Sequence, residues 1–201
     1  MAIKRFGDYE KVQSYSNRKK LPVGGYVLKI ENVRLDEGKN GNSDMIVLMF
    51  DIAEGEQKGF FRRDFETQFG EDKKWKGRTI VYCPRDDGSE RDGYTKSKFK
   101  RIMENFEASN PGYYFDWDET KFKGKLIGAI FGELNSVIDG KQITYTGLRD
   151  TTTVEDIRKG TFQIPDAQYK NGASANNKTS EPKTDSNGFM TASGTEEDIP
   201  F

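Results

Sequence analysis

From Asp166 to Asp198 this 201-residue chain contains no Val, Leu or Ile, and Ser, Thr, Asn, Gly and Ala dominate the stretch. So little apolar surface does not offset the entropy lost on ordering, so the segment reads as disordered and the core must come from residues before it. The resulting partition is an N-terminal arm over 1–23, one folded domain over 24–165, a linker over 166–195 and a separate tip over 196–201. A composition with 33% hydrophobic and 32% charged residues and a mean hydropathy of -0.86 fits one core carrying a polar extension.

The formal net charge of -1 conceals an asymmetry. Residues 166–201 hold six acidic residues (Asp166, Glu181, Asp185, Glu196, Glu197, Asp198) against Lys170, Lys178 and Lys183, which leaves the body at +2 and the tail at -3. A surface for a polyanion must therefore come from local clustering. With Cys83 as the one cysteine and no histidine, the chain has no internal disulfide, no cysteine-rich zinc site and no histidine-based nucleophile or metal chemistry. No apolar run approaches the roughly 20 residues that span a bilayer, and no signal-peptide pattern opens the chain, so a cytoplasmic location and no membrane partner are expected.

Period-2 alternation marks strands over about Tyr26–Leu35 and Met45–Ile52, joined by a Gly- and Asn-rich turn. A short strand follows at Arg78–Cys83, stopped by Pro84. Phe99, Ile102, Met103 and Phe106 recur at helical spacing and predict the main helix over Thr95–Ala108, ended by Asn110-Pro111-Gly112. Strands over Lys125–Glu133 and Gln142–Leu148 flank an Asp139-Gly140 turn, and Gly128 and Gly132 suggest a bulge or close backbone approach. A short helix over Val154–Lys159 and a strand-like Phe162-Gln163-Ile164 close the body. Five strands with the helix between the third and fourth predict a mainly β protein, an OB-fold: a five-stranded, partly open Greek-key barrel.

Three clusters combine aromatic rings, on which bases stack, with cations that follow phosphates. Phe60-Phe61-Arg62-Arg63-Asp64-Phe65 is the first. Lys73-Lys74-Trp75-Lys76-Gly77-Arg78, continuing to Tyr82, is the second, and its cations argue against full burial of Trp75. Tyr113-Tyr114-Phe115-Asp116-Trp117 is the third; its carboxylates would repel phosphate, which favours packing roles and leaves Tyr114 as the candidate. The expected single-strand contacts are thus Phe61, Arg62, Arg63, Lys73, Lys74, Trp75, Lys76, Arg78, Tyr82 and Tyr114. Arg18, Lys19 and Lys20 of the arm, and Lys96, Lys98, Lys100 and Arg101 of the helix, read as solvated charge.

Leu21-Pro22-Val23-Gly24-Gly25-Tyr26, Phe50-Asp51-Ile52-Ala53-Glu54-Gly55, Phe60-Phe61-Arg62-Arg63, Phe122-Lys123-Gly124-Lys125 and the closing Glu196-Glu197-Asp198-Ile199-Pro200-Phe201 together resemble single-stranded DNA-binding proteins of phages and conjugative elements of Gram-positive bacteria. The resemblance implies an OB-like fold, sequence-tolerant binding of single-stranded DNA without catalysis, and a role in DNA replication or recombination. It also implies that residues 196–201 dock replication or recombination proteins. In physical terms, three carboxylates meet a basic rim, the Phe201 ring fills an apolar pocket and the terminal carboxylate takes a charged hydrogen bond. A phage recombination annealing or mediator protein, and a protein-binding adaptor, are the competing expectations. The grouped carboxylates Asp86-Asp87 and Asp116, Asp118 and Glu119 raise a metal-dependent nuclease, but both groups lie in turn-like sequence and read as surface loops. No phosphate-binding loop motif occurs, no cofactor or metal is expected, and homo-oligomerisation stays open.

Overall fold

The computed structural model describes residues 3–11, 20–39, 42–138 and 140–170. The tip residues Glu196–Phe201, most of the linker, and Arg18 and Lys19 of the arm lie outside the described residues. Within them the chain is mainly β, in the order β1 (Gly24–Asp36), β2 (Met45–Ile52), α1 (Phe60–Glu66), β3 (Arg78–Tyr82), α2 (Glu90–Ser109), β4 (Leu126–Ile138), β5 (Lys141–Thr152), α3 (Val154–Lys159) and β6 (Gln168–Lys170). No described helix is long and apolar enough to cross a membrane.

The strands form one sheet in the order β3-β2-β1-β4-β5, all antiparallel, with β6 added parallel to β4. Leu28 and Ile30 of β1, Ile46, Leu48, Phe50 and Ile52 of β2, Val81 of β3 and Ile127, Ala129 and Phe131 of β4 turn their side chains into one core. The helix predicted between the third and fourth strands closes it with Phe99, Ile102, Met103 and Phe106. Phe106 meets Phe122 at a ring separation of 4.6 Å. Burying side chains of this size stabilises by about 1.5–3 kcal/mol each before entropy is counted.

A register shift in β1 between Ile30 and Asn32 leaves Glu31 unmatched against β2. The bulge moves the inward positions from Leu28 and Ile30 to Val33, so Asn32, Arg34 and Asp36 share the outer face with Met49, Val47 and Met45 of β2. At Gly128 the close approach expected from sequence is present: an added Cβ would collide with the Thr153 carbonyl oxygen and lie 2.9 Å from Ile157 Cγ1.

Several boundaries depart from the sequence expectation. The run through Phe60 and Phe65 forms α1, because the buried carboxylate of Asp51, ten residues upstream, accepts the amides of Ile52, Phe61 and Arg62 at 2.8, 2.9 and 3.2 Å. A cap so distant leaves no local start signal. α2 begins at Glu90, five residues before Thr95; Ser89 caps it, its Oγ accepting the Asp92 amide at 3.1 Å. Phe162-Gln163-Ile164 is not a strand; the Phe162 ring instead lies over Gly25. The sheet resumes beyond Pro165, where Gln168, Tyr169 and Lys170 pair with Leu134, Asn135 and Ser136. Leu21, in the expected arm, belongs to the core.

Candidate nucleic-acid interface

β3 is an edge strand, and its residues alternate. Val81 faces the core, whereas Arg78, Ile80 and Tyr82 stand exposed on the outer face, at successive spacings of about 6.8 Å. They lie opposite Met49, Val47 and Met45 respectively. Val47, flanked by Ile80 and by Arg34 of β1, is itself buried. Arg34 is engaged with Asp36 at 2.6 and 2.8 Å, while the Arg78 side chain makes no ion pair among the described residues. This strand links two clusters.

At the Arg78 end lies the cluster singled out from sequence, folded back on α1. Trp75 is half-buried against the core, its Nε1 donating to the carbonyls of Gly77 at 2.9 Å and Phe50 at 3.2 Å, and its ring lies 5.8 Å from that of Phe65. Gln68 clamps the backbone of Lys74 from both sides, at 2.8 and 2.9 Å. Lys76 pairs with Asp64 at 3.0 Å, Lys73 sits 5.8 Å from the Phe65 ring centre, Arg62 faces Glu31 at 3.9 Å and Arg63 donates to the Lys58 carbonyl. Lys73 and Lys74 remain exposed.

Phe61 requires a correction as a base-stacking residue. It is 8% exposed and packs edge-on against Phe50 and Phe60, because the Asp51 cap turns the second residue of α1 inward. Tyr114 is exposed but does not line the groove described next. Of its neighbours, Tyr113 is buried, and its hydroxyl pKa is pushed up to about 12 by burial and then by Asp116, Glu107 and Asp118. Trp117, expected to pack, is largely exposed, one face stacked on Phe99 at 6.1 Å and 12°.

At the Tyr82 end the free edge of β3 and the N-terminal half of α2 enclose a groove of about 560 Å³. Met45, Ile80 and Tyr82 form one wall, and Arg91, Tyr94, Thr95 and Lys98 the other. Tyr82 is 56% and Tyr94 71% exposed, and among the described residues neither ring packs on another aromatic. Two acids reach the lining, and each is matched. Asp87 pairs with Arg85 at 3.1 Å, and Asp92 with Lys96 at 3.1 Å while accepting the Arg85 amide at 2.8 Å. Burial opposes the Asp92 charge, yet the Arg85 amide and the Lys96 ammonium outweigh it and hold its pKa below the ordinary carboxylate value. Arg91 and Lys98 make no ion pair among the described residues.

Tyr94, Arg91 and Lys98 were missed from sequence as interface residues, although Arg91, Tyr94, Thr95 and Lys98 recur at i, i+3, i+4 and i+7 after Ser89. Of the carboxylates weighed for metal chemistry, four are engaged by cations: Asp86 by Lys96, Asp87 by Arg85, and both Asp116 and Asp118 by Lys121. No cluster of three or more metal-ligating side chains occurs among the described residues. In comparisons with known proteins, no family model and no curated protein matches this chain.

Proposed function

We propose that this chain is a non-enzymatic, OB-fold single-stranded DNA-binding protein of replication or recombination, and that the strand runs along the outer face of β3. One observation carries the reading: Arg78, Ile80 and Tyr82 are exposed on a single strand face that joins the Trp75 cluster to a groove with two exposed tyrosines and two cations that form no ion pair among the described residues. Cations serve phosphates, and stacking on exposed rings is worth about 1–3 kcal/mol per base whatever the base.

The strand order supports the OB assignment. A barrel left open between β3 and β5 accounts for two edges that pair with no further strand among the described residues, and for a small void of about 60 Å³ lined by Thr79 and Ile80 of one, Leu148 and Asp150 of the other, and Ile102 of α2. Residues 196–201 recruit replication or recombination proteins in this reading, which rests on the resemblance of their sequence.

Fluorescence anisotropy of labelled oligo-dT, matched duplex and matched RNA with the full-length chain, across a salt series, tests the proposal. It predicts preference for dT over duplex and a log-log salt slope of about -0.7 per phosphate contact. Absence of dT binding at low salt overturns it in favour of a protein-binding adaptor, for which the unpaired edge of β3 offers a place to add an extended peptide.

A further inference from the structure

α2 divides one side of its length between two tasks. Phe99, Ile102, Met103 and Phe106 fill the core, while Arg91, Tyr94, Thr95 and Lys98, nearer its N-terminus, line the groove, whose floor Phe99 and Ile102 reach. An exposed tyrosine on that wall does nothing for the core, and its hydroxyl has no hydrogen-bond partner among the described residues. Arg91 and Lys98 lie to either side of it, about 10.5 Å apart along the helix axis. The opposite wall presents Tyr82, also with a free ring. At about 560 Å³ the space lies within the roughly 300–1,000 Å³ of small-molecule sites, enough for one nucleotide unit.

We propose that this groove is a nucleobase clamp: one base of a bound single strand turns out of the stack and lies between Tyr82 and Tyr94, with its flanking phosphates against Arg91 and Lys98. The clamp rests on the single-strand reading and adds to it a wall built from a helix, away from the sheet face that carries the rest of the strand. It also supplies a reason for single-strand preference, because a paired base has to be unpaired before it enters. An extended peptide on the β3 edge would draw on backbone groups and leave the two rings and two cations unused, so the base is the better match.

Full-length Tyr94→Ala, Tyr94→Phe and Arg91→Ala/Lys98→Ala proteins, titrated with labelled oligo-dT across a salt series, test the clamp. Tyr94 is exposed and alanine is a strong helix former, so the fold tolerates the change. Loss of one base stack weakens binding about 5- to 150-fold in Tyr94→Ala, while Tyr94→Phe stays within about twofold of wild type. The double variant lowers the salt slope by about 1.4. Wild-type dT binding that Tyr94→Ala leaves unchanged overturns the clamp alone, with strand binding elsewhere on the chain still standing. Wild-type protein that binds no dT overturns the clamp and the single-strand reading together.

Discussion

Trp75 donates its indole N–H to the carbonyl of Gly77 at 2.9 Å, and the same oxygen accepts the Phe50 amide at 2.7 Å. The turn leading into β3 is thereby fastened to the core, and Gly77 is the residue that allows the approach. A Cβ there would collide with the Phe50 carbonyl oxygen and lie 2.8 Å from the Phe61 ring. Gly77→Ala is expected to destabilise by about 1–3 kcal/mol, the usual cost of overpacking, and Trp75→Phe by about 1 kcal/mol through the lost hydrogen bond. Urea denaturation followed by circular dichroism measures both. Because Trp75 serves the fold, Trp75→Phe is also expected to cost less dT affinity than Tyr82→Ala.

Asp51 is a buried carboxylate that accepts three amides and starts α1. Asp51→Ala strands those donors away from water, and a loss of about 1–3 kcal/mol is expected in the same denaturation assay. The lost cap should also speed amide hydrogen exchange at Phe61 and Arg62. Unchanged exchange at those two amides would show that α1 does not depend on Asp51.

The cations of the interface differ in how free they are. Arg78 has no ion-pair partner among the described residues, whereas Lys76 is matched to Asp64 at 3.0 Å. Arg78→Ala is expected to reduce the salt slope of dT binding by about 0.7, and Lys76→Ala by less, since its charge is already partly neutralised.

Asp156 gathers the hydroxyls of Thr153 and Thr152, each at 2.7 Å, and of Thr161 at 3.1 Å. These bonds, that of Thr153 foremost, hold its pKa at about 2. The folded value lies below the roughly 3.9 of an unfolded aspartate, so the contribution to stability is complete above about pH 4 and is lost as pH falls through about 2. Asp156→Ala should therefore melt at a lower temperature than wild type at pH 7, with the gap narrowing below pH 4. A gap that stays constant down to pH 2 would show that the carboxylate charge is not the source.

The strands were legible because one face of each meets the core and the other does not, as Ile46, Leu48 and Phe50 against Val47 and Met49 show. α3 was read at its observed bounds, Val154–Lys159, and the structure adds its cap, Thr153, whose side chain accepts the Asp156 amide. α1 was not, since its cap comes from a strand ten residues away, and the first turn of α2 was not, since Gly93 and polar side chains carry no apolar period. The site was legible in part. Sequence neighbours brought together Trp75, Lys73, Lys74, Arg78 and Tyr82, but the inward turn of Phe61 and the groove that Tyr82 and Tyr94 both line depend on tertiary placement.

Photocross-linking of oligo-dT carrying 5-iodouracil to the full-length chain, with adducts mapped by mass spectrometry, tests the outer face of β3 most directly. The account predicts an adduct at Tyr82 on that face, and the clamp predicts a second at Tyr94 on α2. Adducts confined to the exposed tyrosines of the β4–β5 hairpin and β6, Tyr145 and Tyr169, would contradict it.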